Sequence, residues 1–199
     1  MAVRKLRIAA LRLSFVPVVF IAVFVRPSWS GESGLAFWIE LVGYLFLLIG
    51  LVIRMWSILY VGGRKSKRLI TEGPYSICRN PLYIGTFFLT VGAGLCFENP
   101  LMLFVSLVLV VPAHLLVVRM EEAHLESIFE GEFRKYAKEV PRYWPRFRSY
   151  VASETLTIST RAVRRIAVDT VAVLLLPEVE DLLELLHDQG VIPVLWHWP

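Results

Sequence analysis

The sequence predicts an all-α, multi-span transmembrane helical bundle: four core spans, a cytosolic interfacial helix, and a C-terminal segment that is either a fifth membrane segment or a cover on the bundle. Of 199 residues, 56% are hydrophobic and 19% charged, against roughly 45–50% and about 25% in a soluble domain. Mean hydropathy is +0.61. The apolar residues gather into long runs at 6–25, 35–60, 82–97 and 101–118, close to or above the roughly 17–25 residues that a crossing takes.

The first run follows Arg4, Lys5 and Arg7, as either a signal peptide or a first span would. It is followed by Arg26, Pro27 and Trp29 rather than by a small-residue cleavage site, so it reads as a retained span. The second run begins after a Ser/Gly-rich turn (Ser30, Gly31, Ser33, Gly34) and holds Arg54 near its end. A long side chain there is expected to snorkel to the headgroups. The third and fourth runs are separated only by Glu98, Asn99 and Pro100. So short a connection makes a helical hairpin of antiparallel neighbours. Gly92 and Gly94 read as close helix packing within it.

Loop charge sets the expected topology. Arg4, Lys5, Arg7 and Arg12 flank the first span, and Arg64, Lys65, Lys67, Arg68 and Arg79 fill the second loop. Arg119, Arg134, Lys135, Lys138, Arg142, Arg146 and Arg148 follow the fourth span. The other two loops carry Arg26 alone. By the positive-inside rule the N-terminus and both basic loops face the cytosol. The net charge of +4 thus reports orientation, and no nucleic-acid partner is expected. Cys78 and Cys96 are expected unpaired, and His114, His124, His187 and His197 have no ligand spacing, so no metal is assigned.

Residues 121–140 show an amphipathic pattern, with Leu125, Ile128, Phe129, Phe133, Tyr136, Ala137 and Val140 on one face. It fits a helix lying in the interface, and equally a solvated helix leaning on the bundle. Glu121 and Glu122 stand where the fourth span leaves the bilayer, where two carboxylates are costly without partners. In the loop GPYSICRNPLYIG (residues 73–85), Pro81 suits the first turn of the third span. The N–H groups of that helix start, with Arg79 beside them, would hold an anion, or the segment is an ordinary helix entry. Beyond a Ser/Thr-rich linker at 153–160 come Arg161, Arg164 and Arg165, an apolar run at 166–176 interrupted by Asp169, and an amphipathic helix at 178–188. Trp196 and Trp198 read as headgroup anchors. The chain thus divides into an N-terminal two-span region (1–61), a cassette of loop, hairpin and interfacial helix (62–150), and a C-terminal extension (151–199).

The loop at 73–85, an apolar hairpin, Glu121–Glu122 with Leu125, Phe129 and Tyr136, and VPRYWP at 140–145 together resemble the isoprenylcysteine carboxyl methyltransferase and phospholipid methyltransferase superfamily. The resemblance covers roughly residues 71–147. It implies an integral membrane enzyme of EC class 2.1.1 that takes S-adenosylmethionine from the cytosol and a lipophilic acceptor from the bilayer. With no Rossmann-type turn in the sequence, the cofactor would be enclosed by helix ends. The resemblance puts Tyr75, Arg79, Asn80, Tyr83 and Gly85 on one side of that pocket and Glu121, Glu122, Tyr136 and Arg142 on the other. In its terms, Glu122 would hold the cofactor's ammonium or ribose hydroxyls, and Arg142 an anionic substrate group or the cofactor carboxylate. Asn80 stands where isoprenylcysteine methyltransferases have His, Glu130 where the family has Gly, and Phe133 where it has Tyr. The acceptor stays open between a prenylcysteine carboxylate, a phospholipid amine and a small hydrophobic thiol. The alternative functions are a relative of NADPH-dependent sterol reductases and a non-catalytic membrane scaffold.

Overall fold

The computed structural model describes residues 16–27, 34–62, 68–156 and 158–198. Expectations for residues 6–15, for the turn at 30–33, and for Arg64, Lys65 and Lys67 fall outside them. The described chain is mainly helical: α1 (residues 16–24), β1 (Val25–Pro27), α2 (Gly34–Val61), α3 (Pro74–Ile77), α4 (Pro81–Cys96), α5 (Pro100–Glu139), a 3-10 turn (Phe147–Ser149), α6 (Thr160–Leu174), α7 (Leu176–Asp188) and β2 (Trp196–Trp198). Two of these helices, α2 and α5, are long and apolar enough to cross a membrane, and α4 is a shorter apolar helix. The 28 residues of α2 extend about 42 Å, beyond the roughly 30 Å hydrocarbon layer.

The chain divides into two compact units. The first comprises residues 1–48, 87–114 and 172–199. In it, α1 and β1 supply Ile21 and Val25 to a core completed by Phe97 and Met102, with Leu176 and Leu183 of α7 packed on it. Gly92 lets the α2 backbone come close: a Cβ there would lie 2.7 Å from Leu47 N and 2.8 Å from Gly43 O. That is the role expected for it. The expected hairpin forms through Phe97–Asn99, where Glu98 adopts a left-handed φ of 44°. Asn99 caps α5 by accepting from Met102 N at 3.0 Å, and its Nδ2 donates to Val25 O at 3.0 Å. Pro100 follows at the first helical position, where a missing N–H costs nothing.

Strands β1 and β2 were not expected. They pair in parallel, Val25 with Trp196 and Pro27 with Trp198, and Leu195 N adds a bond to Phe24 O at 3.0 Å. Pro27 and Pro193 disfavour helix on either side, so these extended backbones satisfy each other instead. Trp196 is exposed, while the Trp198 side chain lies outside the described residues.

The second unit comprises residues 49–86 and 115–171, and two expectations change in it. Arg54 does not snorkel: its side chain is 15% exposed, its Nη2 lies 2.6 Å from Asp169 Oδ2, and its Nη1 donates to Thr86 Oγ1 at 2.7 Å. A guanidinium among apolar helices gains more from a carboxylate in contact than from a distant headgroup. The second change concerns α5, which does not end near Glu121. Residues 100–139 form one helix broken only at Glu130, where φ is 40° and ψ is −110°. The break folds residues 131–139 back, so that Arg134 Nε donates to Glu126 Oε1 at 2.8 Å. The predicted apolar stripe therefore turns inward: Phe133, Tyr136 and Val140 bury against Leu69, with Leu125, Phe129 and Ala137 around them. Ile128 alone of the stripe is exposed. This is the helix leaning on the bundle, not one lying with that face in lipid.

Candidate functional site

Residues 79–80 and Arg142 converge on Glu122, whose side chain is 9% exposed. Asn80 Nδ2 donates to Glu122 Oε1 at 2.9 Å. Its Oε2 accepts from Arg142 Nη2 at 2.7 Å, Arg142 Nε at 3.0 Å and Arg79 Nη1 at 3.3 Å. A buried carboxylate survives desolvation only when so paired. The bond to Glu122 holds the Arg142 guanidinium more firmly protonated than usual, against the opposing effect of burial.

The backbone fixes these partners. Pro74 opens the single turn α3, after which Arg79 N donates to Pro141 O and Arg146 N to Ile77 O, both at 2.9 Å. Gly73 N donates to Val151 O at 2.8 Å, and Val151 N to Ser76 Oγ at 2.9 Å. Residues 73–80 and 141–151 are thus laced together. Gly73 has φ of 60°, and a Cβ there would lie 2.2 Å from the Tyr60 ring, so only glycine fits. The Cys78 thiol donates toward the carbonyls of Arg142 and Tyr143 at 3.3 and 3.4 Å. Burial pushes it up to about 11. Asn80 supplies its carbonyl to Tyr83 N and Ile84 N at 3.1 and 3.3 Å. The start of α4 is therefore an ordinary helix entry, and these two N–H groups make no anion cradle.

Beside Glu122 opens a narrow cleft of ≈ 90 Å³, smaller than the roughly 300–1,000 Å³ of sites that enclose a whole small molecule. Tyr75, Arg79, Asn80, Tyr83, Glu121, Glu122 and Tyr136 all line it. Tyr83 Oη donates to Glu121 Oε2 at 2.7 Å, and Tyr136 Oη to Tyr75 O at 2.8 Å. Burial raises the pKa of both Tyr75 and Tyr136, which keeps the phenols neutral donors. Apart from Arg68, the remaining wall is apolar, with Val61, Leu69, Ile70, Leu82, Leu125 and Phe133.

Two residues expected at the pocket lie elsewhere. Gly85 presses on α2, where a Cβ would meet Arg54 Cγ at 2.7 Å and Gly50 O at 2.9 Å. Arg142 lines a second, shallower groove with Arg119, Arg134 and Lys138, and meets the lining of the first cleft through Glu122, which borders both, and through its carbonyl, which accepts from Asn80 Nδ2. Leu69 escaped the sequence reading, and Cys78 was read there only as an unpaired thiol. An apolar Leu in a basic loop is a faint signal for Leu69, whereas nothing local marks Cys78. Among the described residues no group of His, Cys, Asp and Glu could hold a metal ion.

The phospholipid methyltransferase family model matches residues 38–132. The cobalt-zinc-cadmium resistance protein CzcN of Cupriavidus metallidurans is 33% identical over 191 residues, 94% of this chain and 85% of that protein. The isoprenylcysteine O-methyltransferase B of Arabidopsis thaliana is 27% identical over 114 residues, 52% of this chain and 58% of that protein. The chain belongs to the isoprenylcysteine and phospholipid methyltransferase superfamily. The nickel-cobalt-cadmium resistance protein NccN of Alcaligenes xylosoxydans xylosoxydans is 33% identical over 89% of this chain and 83% of its own length. The similarity to CzcN and NccN takes in nearly the whole sequence, whereas that to the plant isoprenylcysteine methyltransferase takes in about half. No solved structure matches the chain significantly. As a member of this superfamily with two membrane-length apolar helices, the protein is a membrane methyltransferase relative, and the Glu122 cleft is its candidate site.

Proposed function

We propose that the protein is an S-adenosylmethionine-dependent methyltransferase of the membrane, acting on a lipophilic acceptor at the cytosolic face. The observation that carries this reading is the cleft itself, in which carboxylates and phenols converge at one end against an apolar wall. The donor set suits the cofactor. Glu121 offers an acceptor for its ammonium or ribose hydroxyls, and Arg79 Nε is buried with no partner among the described residues, a donor matched to its carboxylate.

When bound, S-adenosylmethionine supplies a methyl group already activated by its sulfonium, so the protein's work is alignment and exclusion of water. Glu121, beside the Tyr83 hydroxyl, is assigned to cofactor binding. Glu122 is assigned to holding Arg79 and Arg142 in place, and Arg142 to meeting an anionic group. Tyr75, Asn80 and Tyr136 shape the wall, and Leu82 and Leu125 receive the apolar body of the acceptor. A carboxylate acceptor needs no base, whereas a thiol or amine must lose a proton. Two relatives bear the names of metal-resistance proteins. Any such role of this chain is read as acting through a methylated lipophilic product rather than a bound ion.

Glu122→Gln leaves two guanidiniums facing a neutral amide. Purified protein should bind labelled S-adenosylmethionine, and this variant should lose most of that binding while keeping its helical circular dichroism. Membranes given methyl-labelled cofactor should yield a labelled ester, lipid amine or thioether. NADPH binding without S-adenosylmethionine binding would turn the reading to a reductase, and label in no lipophilic fraction would end it.

A further inference from the structure

Residues 140–153, VPRYWPRFRSYVAS, contain Arg142, Arg146 and Arg148 and no acidic residue. Trp144 is 87% exposed and Phe147 74%, far beyond what two large aromatic side chains retain on a surface that meets only water. Arg146 and Arg148 are exposed between and beside them. This is not a slack loop. Its backbone is tied to the segment that precedes α4 by Arg79 N to Pro141 O and Arg146 N to Ile77 O, both at 2.9 Å. At its far end the Tyr150 ring packs on Trp56 of α2 with centroids 5.9 Å apart. The aromatics are therefore presented outward by a rigid frame instead of collapsing onto the unit.

The frame also sets their depth. Residues 77–80 immediately precede the apolar helix α4, so a segment bonded to them sits where hydrocarbon gives way to headgroups. Aromatic rings with a polar rim favour that layer, and arginines beside it are drawn to anionic lipid. We propose that residues 142–150 form a docking surface for the anionic bilayer leaflet, with Trp144 and Phe147 entering the headgroup layer and Arg146 and Arg148 contacting lipid phosphates. Arg142 in the same segment binds Glu122, so lipid charge would be sensed one side chain from the candidate site. The surface itself does not depend on the methyltransferase reading.

Its test needs no activity. Cys78 and Cys96 are buried, so a Trp144→Cys variant takes a nitrobenzoxadiazole probe selectively, with Glu132→Cys on exposed helix as the control. The proteins are placed in nanodiscs of phosphatidylcholine alone or mixed with phosphatidylglycerol. The probe at 144 should be blue-shifted and quenched by lipids brominated near the headgroup, several-fold more strongly with phosphatidylglycerol. Arg146→Gln with Arg148→Gln, or high salt, should remove the difference between the two lipids. Emission at 144 that matches the control in both lipids overturns the proposal. So does shielding that appears only when a soluble protein fraction is added.

Discussion

Cys78 shows how much a single side chain depends on contacts far along the chain. Its thiol points at two carbonyls of the 142–143 turn, and burial raises it from 9.0 to about 11. It should resist alkylation at pH 8 in the folded protein and react once the chain unfolds, as mass spectrometry of iodoacetamide-treated samples would show. Because the unfolded thiol ionises first, stability should fall as pH rises from 9 to about 11, through this group. Asn80 and Phe133 were legible as departures from the family pattern, and their surroundings now give physical content to both. Asn80 donates to Glu122 and to Arg142 O through an amide that carries no titratable proton. Phe133 is 4% exposed in a cluster with Leu69, an apolar setting that favours the ring without a hydroxyl.

At the scale of elements, α5 was the least legible. A charged stretch at the end of an apolar run suggested a boundary near Glu121, yet Arg, Met, Glu and Ala are all strong helix formers and the helix runs on. The break needs a backbone cause and comes at Glu130, in a conformation that glycine adopts without strain. The neighbouring Gly131 does not take it. Glu130→Gly should stabilise the protein by about 1 kcal/mol, read as a higher midpoint of thermal unfolding in detergent. The opposite sign would show that Glu130 is held there by contacts worth more than its strain. The α4–α5 hairpin was fully legible, because Asn-Pro both caps and starts a helix.

At the scale of the molecule, the tie between Arg54 and Asp169 joins residues 115 apart in sequence. It lies within one unit and binds the C-terminal segment to the helix that carries Arg54. Removing one charge leaves the other buried, so Arg54→Leu or Asp169→Leu should each cost about 3 kcal/mol, while the double variant regains most of that loss. Equal losses in all three, measured by unfolding in detergent, would rule out the pair as their cause. The sequence alone determined that this is a helical membrane protein of the methyltransferase superfamily, because apolar run length and the cassette at 73–147 are local properties of the chain. Only the tertiary structure decided which residues meet. Pairing a buried charge depends on distance in space, and neither the Glu122 cluster, the inward face of the 131–139 helix nor the Arg54–Asp169 tie is encoded at any spacing along the sequence.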